Sequence, residues 1–287
     1  MLARFNNQGQ QMKIKVNLFD NNLITKYSSI LSVISTLCSF VLIVITVPDD
    51  ANIRIAIGGI MLTVLLGIYV VMWFRANTLN NVSLEINNST VVVKFGDIFE
   101  ENELKVIAFN EYFDTQVDNK IIADSSLNGI YIKTKVNDIS ELDNRIDTDI
   151  NLNNKAIKNN SSRICGKQKI YKLGTIFKND DYLLTAFTKF DDDNRAYLSM
   201  PDYINFLLNF WNEIDIIYAG RSVSIPLLGS GITRFKEYNA ISEQELLELL
   251  IWSFKVSKIK FTYPSKVSIV IHESKKDKIN LYKLKRS

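Results

Sequence analysis

Residues 224–235 read Ser-Ile-Pro-Leu-Leu-Gly-Ser-Gly-Ile-Thr-Arg-Phe, an apolar run that passes straight into Gly229, Ser230 and Gly231. Glycine lacks a Cβ and tolerates positive φ, so consecutive N–H groups at such a turn can converge on an anion. Leu228 and Ile232 flank the turn, and Thr233 and Arg234 add a hydroxyl and a fixed positive charge. A purely structural turn has the same pattern. No Lys-Ser or Lys-Thr pair stands in the P-loop position, and the spacing is not Gly-x-Gly-x-x-Gly, so neither phosphate fingerprint is present. A second glycine lies in 125–130, Ser-Ser-Leu-Asn-Gly-Ile, which reads as a loop where Asn128, Gly129 and Ile130 approach a phosphate. At the end of an earlier strand, Gly96-Asp97-Ile98 offers a carboxylate to an exocyclic amine, or simply a turn aspartate after glycine.

Other chemistries have little to draw on. His272, the single histidine, falls near the tail, which leaves general acid–base work without its commonest participant. Asp191, Asp192 and Asp193 form an acidic run with no calcium-type ligand spacing after it, and read as a solvated loop. Cys38 and Cys165 are too far apart in character and position to suggest a disulfide, zinc or redox pair. No metal site and no catalytic residue is expected. The net charge of +3 is too small to argue for nucleic acid. The excess gathers in the tail, at Lys275, Lys276, Lys278, Lys283, Lys285 and Arg286, as a contact for anionic lipid or as a solvated strand edge.

The loops need a scaffold, and 82–287 supplies one. Residues 82–86 and 91–95 are β-branched runs around Asn87, Asn88 and Ser89, a hairpin signature. Further strands are expected at 105–109, 170–173, 182–188, 223–228, 266–272 and 278–283. Helices alternate with them: Ile139, Leu142, Ile146 and Ile150 recur at helical spacing, Pro201 marks a first turn, and Ser242 to Glu245 forms a capping box. Trp211 and Trp252 fall on apolar helix faces and are expected in the core. The alternation predicts an α/β three-layer domain with a mixed sheet.

Ahead of it stand two uncharged apolar runs, 27–47 and 55–74, each long enough to span a hydrocarbon core of about 30 Å as a helix. The alternative is a pair of buried core helices. The connector 48–54 is short, so the runs form a transmembrane hairpin, 27–75, with both chain ends on one side. Lys13, Lys15 and Lys26 precede the first span and Arg75 follows the second, while the connector holds Arg54 beside two aspartates. The positive-inside bias therefore places the 1–26 segment and the domain in the cytoplasm. Small residues such as Ser32, Thr36, Ser39, Gly58, Gly59 and Gly67 permit close packing, within the hairpin or between protomers.

A strand ending in Gly-Asp-Ile, a later polar glycine loop and a strand leading into Gly-x-Gly resemble, in that order, the macrodomain, an ADP-ribose-binding α/β fold. By that resemblance Asp97 and Ile98 hold adenine, Asn110 reaches the distal ribose, and Asn128 to Ile130 and Leu228 to Arg234 enclose the diphosphate. The paired Asn-Ala signature of many macrodomains is absent, since 108–112 read Ala-Phe-Asn-Glu-Tyr. Residues 110–115, 188–190, 194–198 and 225–234 look like the divergent macrodomain of Thoeris antiphage effectors, and the hairpin matches their membrane class. The resemblance implies a bacterial inner-membrane protein that binds an ADP-ribose derivative, histidine-ADP-ribose, made by a TIR-domain partner. It further implies a homo-oligomer that disrupts the membrane in abortive infection and is not an enzyme. The alternative is a membrane-anchored ADP-ribosyl hydrolase.

Overall fold

The computed structural model describes residues 14–231, 233–235 and 241–286, without the side chains of Arg234 and Arg286; Lys13 and Ile232 lie outside the described residues. The chain divides into two compact units, Met1–Asn80 with Asn280–Ser287, and Asn81–Ile279.

In the first unit, α1 (Asn21–Val44) and α2 (Ala51–Asn77) each start on an aspartate cap. Asp20 accepts from the N–H groups of Asn22 and Leu23, and Asp50 from those of Asn52 and Ile53, which satisfies donors that a helix start leaves unpaired. Both helices have the length and apolarity to cross a membrane. Their apolar side chains face outward, with Phe40 66% and Ile43 78% exposed. The core-helix alternative therefore fails.

One end of the hairpin is tied by polar contacts. The Tyr27 hydroxyl donates to Leu65 O at 3.0 Å, and its ring meets Tyr69 edge-on with centroids 4.9 Å apart. Asn77 Oδ1 accepts from Lys15 N at 2.8 Å and Val16 N at 2.9 Å, while Trp73 Nε1 donates to Val16 O at 2.9 Å. The end of the chain joins this cluster: Asn280 Nδ2 donates to Lys15 O at 2.9 Å, and Tyr282 packs with Val16, Leu23 and Ala76. This corrects two expectations. The final strand at 278–283 is instead the end of one 3-10 helix, Glu273–Lys278, and the start of another, Leu281–Arg286. Ile279, Leu281, Tyr282 and Leu284 are all buried, a pattern that does not alternate as a strand with one solvent face would. Residues Asn280–Ser287 accordingly group with the hairpin and not with the sheet domain.

The second unit runs β1 (Asn81–Ile86), β2 (Ser89–Phe95), β3 (Leu104–Asn110), α3 (Leu127–Lys135), α4 (Ile139–Thr148), α5 (Ile150–Asn153), β4 (Ala156–Asn159) and β5 (Lys169–Tyr171). It continues through β6 (Ile176–Asn179), β7 (Tyr182–Phe190), β8 (Ala196–Leu198), α6 (Met200–Ile217), β9 (Val223–Pro226), β10 (Arg234–Phe235), α7 (Glu243–Ser257) and β11 (Val267–Ile271). Among the described residues the main sheet has the order β1-β2-β11-β9-β3-β7-β8-β10, with β6 also on β7. The five strands from β2 to β7 in that order are mutually parallel; β1, β6 and β8 pair antiparallel. Asn87 and Asn88 take φ of 54° and 61° at the β1–β2 turn, as a tight two-residue hairpin requires.

Alternation along the central strands builds two cores. Ile107 and Phe109 of β3, with Leu184 and Ala186 of β7, pack with Tyr131 of α3 and Leu142 and Ile146 of α4. On the opposite side, Phe187 of β7 meets Phe206 of α6 at 4.8 Å, and Trp211 of α6 meets Phe254 of α7 at 4.9 Å. The buried Trp211 N–H donates to Ser253 Oγ at 2.8 Å. Trp252, expected in the core, is 46% exposed because Ser253 and Phe254 take the inward face.

Asn77 is the polar centre of the hairpin's tied end. Asn77→Ala removes the acceptor of two backbone N–H groups, at a cost of about 1–3 kcal/mol for a buried group left unpaired. The expected outcome is faster proteolytic cleavage within 14–20 in the detergent-solubilised protein. An unchanged cleavage rate would show that the other contacts, from Trp73, Tyr69 and Asn280, hold the segment without Asn77.

Candidate functional site

The parallel strands end on one edge of the sheet, so the chain that follows β2, β3, β9 and β11 emerges there. Open α/β sheets bind their ligands at that edge. Four of the sequence-derived elements come from it or lead away from it.

After β9, Leu227 and Leu228 are buried, and Tyr203 Oη donates to Leu228 O at 3.1 Å. The chain then turns through Gly229 at φ +90°, where an added Cβ would lie 3.0 Å from Phe235 Cζ. Glycine is required there on both counts. Ser230 closes the turn, with its hydroxyl donating to Leu227 O at 2.8 Å. Gly231 differs: nothing lies within 4 Å of where its Cβ would be. A cavity of about 510 Å³ opens here, lined by Gly229, Ser230, Gly231 and Thr233, by Glu243 at the start of α7, and by Lys275 and Lys278 after β11. Four residues of the expected glycine loop thus share one cavity. Ile232 and the side chain of Arg234 lie outside the described residues.

The other expected residues take different places. Asp97 is exposed and caps the 3-10 helix Ile98–Glu100, accepting from Phe99 N at 2.9 Å, whereas Ile98 is buried at 4% exposure. Any part that Ile98 plays toward a ligand falls to its backbone. Residues 125–130 are not a loop. Ser126 caps α3, its hydroxyl accepting from Gly129 N at 3.1 Å and donating to Asn128 Oδ1 at 2.7 Å. A Cβ on Gly129 would stand 2.2 Å from Ala123 O, so this glycine serves close packing in the first turn. Ile130 remains 37% exposed. None of the three lines the cavity.

Asn110 is buried, and its amide turns onto the loop that follows β3. Oδ1 accepts from the N–H groups of Tyr112 and Asp114, and Nδ2 donates to Asp114 Oδ2 at 3.0 Å. Asp114 is the centre of this cluster. Arg163 binds it in two places, at 3.1 and 2.8 Å, and Lys167 N donates to Oδ1 at 2.7 Å. With Asn110 included, the buried carboxylate has four donors, the condition under which such a pair repays its desolvation. The Arg163 guanidinium also lies 3.9 Å from the Tyr112 ring centroid and donates to Asn194 Oδ1. Two segments that carry the family likeness, 110–115 and 194–198, therefore meet through one arginine.

Sequence reasoning missed Glu243, Lys275 and Lys278 as cavity residues. The signal was present, as two lysines three apart directly after a strand end, but it was read as a tail facing lipid or solvent. It also missed Glu111, which is buried beside β7 with Oε1 accepting from Phe190 N at 3.2 Å.

Residues 91–272 match the family described as Thoeris protein ThsA, Macro domain. Over 260 residues the chain is 46% identical to the Thoeris protein ThsA of Bacillus amyloliquefaciens (strain Y2), covering 89% of this chain and 87% of that protein. The chain belongs to the Thoeris ThsA family. The family's macrodomain opens in β2 and closes just past β11, which is the sheet unit. The 260 aligned residues exceed that unit, so the likeness extends into the N-terminal helices. Among solved structures, the Oceanobacillus iheyensis macrodomain with ADP aligns at a TM-score of 0.46 and 13% identity, over 72% of this chain and 95% of that one. The same protein with MES bound gives 0.45 and 14%, over 72% and 96%.

Two outcomes test the local chemistry of this ThsA macrodomain. Gly229→Ala forces a side chain into left-handed backbone against Phe235, which should cost about 1 kcal/mol or more. A lower melting temperature with distorted cavity signals in NMR is expected; a neutral change would mean that the turn relaxes freely. At Glu111, burial pushes the carboxyl pKa up, against opposing pulls from the Phe190 N–H, Lys189, Lys158 and Arg163. A raised folded value means that ionised Glu111 costs stability above its folded pKa, and that this cost disappears as pH falls below its unfolded value. Glu111→Gln should therefore raise the melting temperature at pH 8, with a gain that shrinks toward pH 4. A gain independent of pH would assign the effect to packing.

Proposed function

We propose that this protein is a membrane-inserted effector of Thoeris antiphage defence. Its macrodomain binds an ADP-ribose-derived signal, the histidine conjugate of ADP-ribose made by a TIR-domain partner. Binding drives assembly of several copies, and their hairpins disrupt the bacterial inner membrane, which ends in abortive infection. The protein acts as a receptor and not as an enzyme.

The observation that carries the receptor reading is the cavity at the carboxyl edge. It brings a turn with open space at Gly231 together with two lysine ammonium groups, a setting suited to a diphosphate. The charged groups there do not resemble a hydrolytic site. Glu243 is committed to both lysines, and His272 sits outside the cavity with Nδ1 2.8 Å from Ser274 Oγ. A carboxylate held by two ammonium groups is a weak general base.

The orientation follows from charge. Arg54, the one basic residue of the connector, pairs with Asp49 and donates to Pro48 O at 2.7 Å, while Lys15, Lys26 and Arg75 cluster at the other end. This supports cytoplasmic termini. Coupling between receptor and hairpin has a short covalent route, since Ile279 ends the sheet unit and Asn280 begins the segment bonded to Lys15 O.

The test uses full-length protein in vesicles of phosphatidylethanolamine and phosphatidylglycerol loaded with a self-quenching dye. Histidine-ADP-ribose should release the dye and shift the protein to larger species on a native gel, with the ligand recovered intact. Binding without release would remove the membrane output. Turnover of the ligand, or of an ADP-ribosylated protein, would replace the receptor with a hydrolase.

A further inference from the structure

Lys275 and Lys278 stand one turn apart on the 3-10 helix Glu273–Lys278, and both ammonium groups donate to the same atom. Glu243 Oε1 accepts from Lys275 Nζ at 3.1 Å and from Lys278 Nζ at 2.8 Å. The three side chains are 27%, 58% and 15% exposed for Lys275, Lys278 and Glu243. Burial would raise the Glu243 pKa, but hydrogen bonds from the two lysines outweigh it and hold the carboxyl below its ordinary value. One negative charge therefore faces two positive ones, in the first turn of a helix whose dipole also favours an anion.

Three features show that this arrangement is more than a surface ion pair. The cluster lines the same cavity as Ser230 and Gly231. Among the described side chains of this cluster, two ammonium groups share one carboxylate, so one positive charge is left over. Lys278 reaches Glu243 from a largely exposed position, so little packing holds it there. A dianion bridging the lysines would balance the charge that a monovalent carboxylate leaves over.

We propose that Lys275 and Lys278 are a clamp for the diphosphate of the nucleotide ligand, and that Glu243 is the internal counter-ion which the ligand displaces. This deepens the receptor reading and rests on it. Before binding, Glu243 keeps two lysines ordered at the cavity wall and lowers the cost of burying them. On binding, the diphosphate takes the ammonium groups, and Glu243 is released toward solvent. Lys278 is two residues in sequence before Asn280, where the second unit gives way to the first.

The experiment measures the affinity of full-length protein in detergent for ADP-ribose and for adenosine, which lacks phosphate. The variants are Lys275→Met with Lys278→Met, and Glu243→Gln. The clamp predicts opposite signs: the double-lysine variant loses tenfold or more in ADP-ribose affinity, and Glu243→Gln gains several-fold. Adenosine affinity should be unchanged in both. A structural ion pair would instead weaken binding in both variants, and that result would overturn the proposal. So would an unaltered ADP-ribose affinity in the double-lysine variant. If the wild-type protein binds neither ADP-ribose nor its histidine conjugate, the receptor reading itself falls. If the double variant unfolds, Lys278→Gln and Glu243→Gln alone must still move affinity in opposite directions.

Discussion

A parallel ladder cannot be closed by tight turns; each strand must return across a face before the next one starts. In this domain β2, β11, β9, β3 and β7 lie side by side with one polarity, so helices cover both faces and all the exits share one edge. The central strands are buried on both sides, which fixes their register through the cores rather than through solvent-facing alternation. The edge is the only place where the backbone can depart from regular pairing without burying unsatisfied groups. Both the rigid turn after β3 and the glycine turn after β9 are found there.

Those two turns solve the same problem in opposite ways. After β3, Asp114 is buried and receives donors from Arg163, Lys167 and Asn110, leaving no part of its carboxylate for a ligand. After β9, the turn is held by its backbone, by Ser230 and by the Tyr203 hydroxyl on Leu228 O, and Gly231 looks onto empty space. The first turn fixes the long excursion between β3 and β7 against the sheet. The second leaves room. A site that must admit a charged molecule needs a stiff wall and an open one, and the two turns leave neighbouring strands, β3 and β9, on the same edge.

Much of this was legible from pattern. The β1–β2 hairpin, the capping box at Ser242, the proline at the start of α6 and the two apolar helices carry local signals that tertiary contacts do not override. Errors arose where one signal has two physical uses. Gly129 was read as a phosphate-approach glycine, but it relieves a contact with Ala123 O below the Ser126 cap. Asn110 and Ile98 have the residue types of a binding site and were claimed by the interior. At the tail, the apolar residues of 278–284 read as a strand, but Tyr282 is taken up by packing with Val16, Leu23 and Ala76, and the segment turns as 3-10 helix. The two lysines of the Glu243 cluster were visible as a pair, but their partner was not, because Glu243 lies more than thirty residues away and only the packing of α7 beside the exit of β11 joins them.

The hairpin shows what its own side chains do and do not demand. Thr25, Ser29, Thr36, Ser39 and Thr63 all donate to the carbonyl four residues back in their own helix. Such back-bonding satisfies a hydroxyl in lipid without a neighbouring helix or water. These hydroxyls therefore need no partner helix to be satisfied. What stays unfilled is steric, since Gly58, Gly59 and Gly67 have nothing within 4 Å of an added Cβ. Close approach at small residues gains only dispersion, which is a weak and reversible basis for helix contact in a bilayer. Two helices are also too few to enclose a path for ions. Under the proposed reading any permeability needs several hairpins, and because the back-bonded hydroxyls and bare glycines offer little attraction between spans, that reading draws the free energy of assembly from the domain they carry.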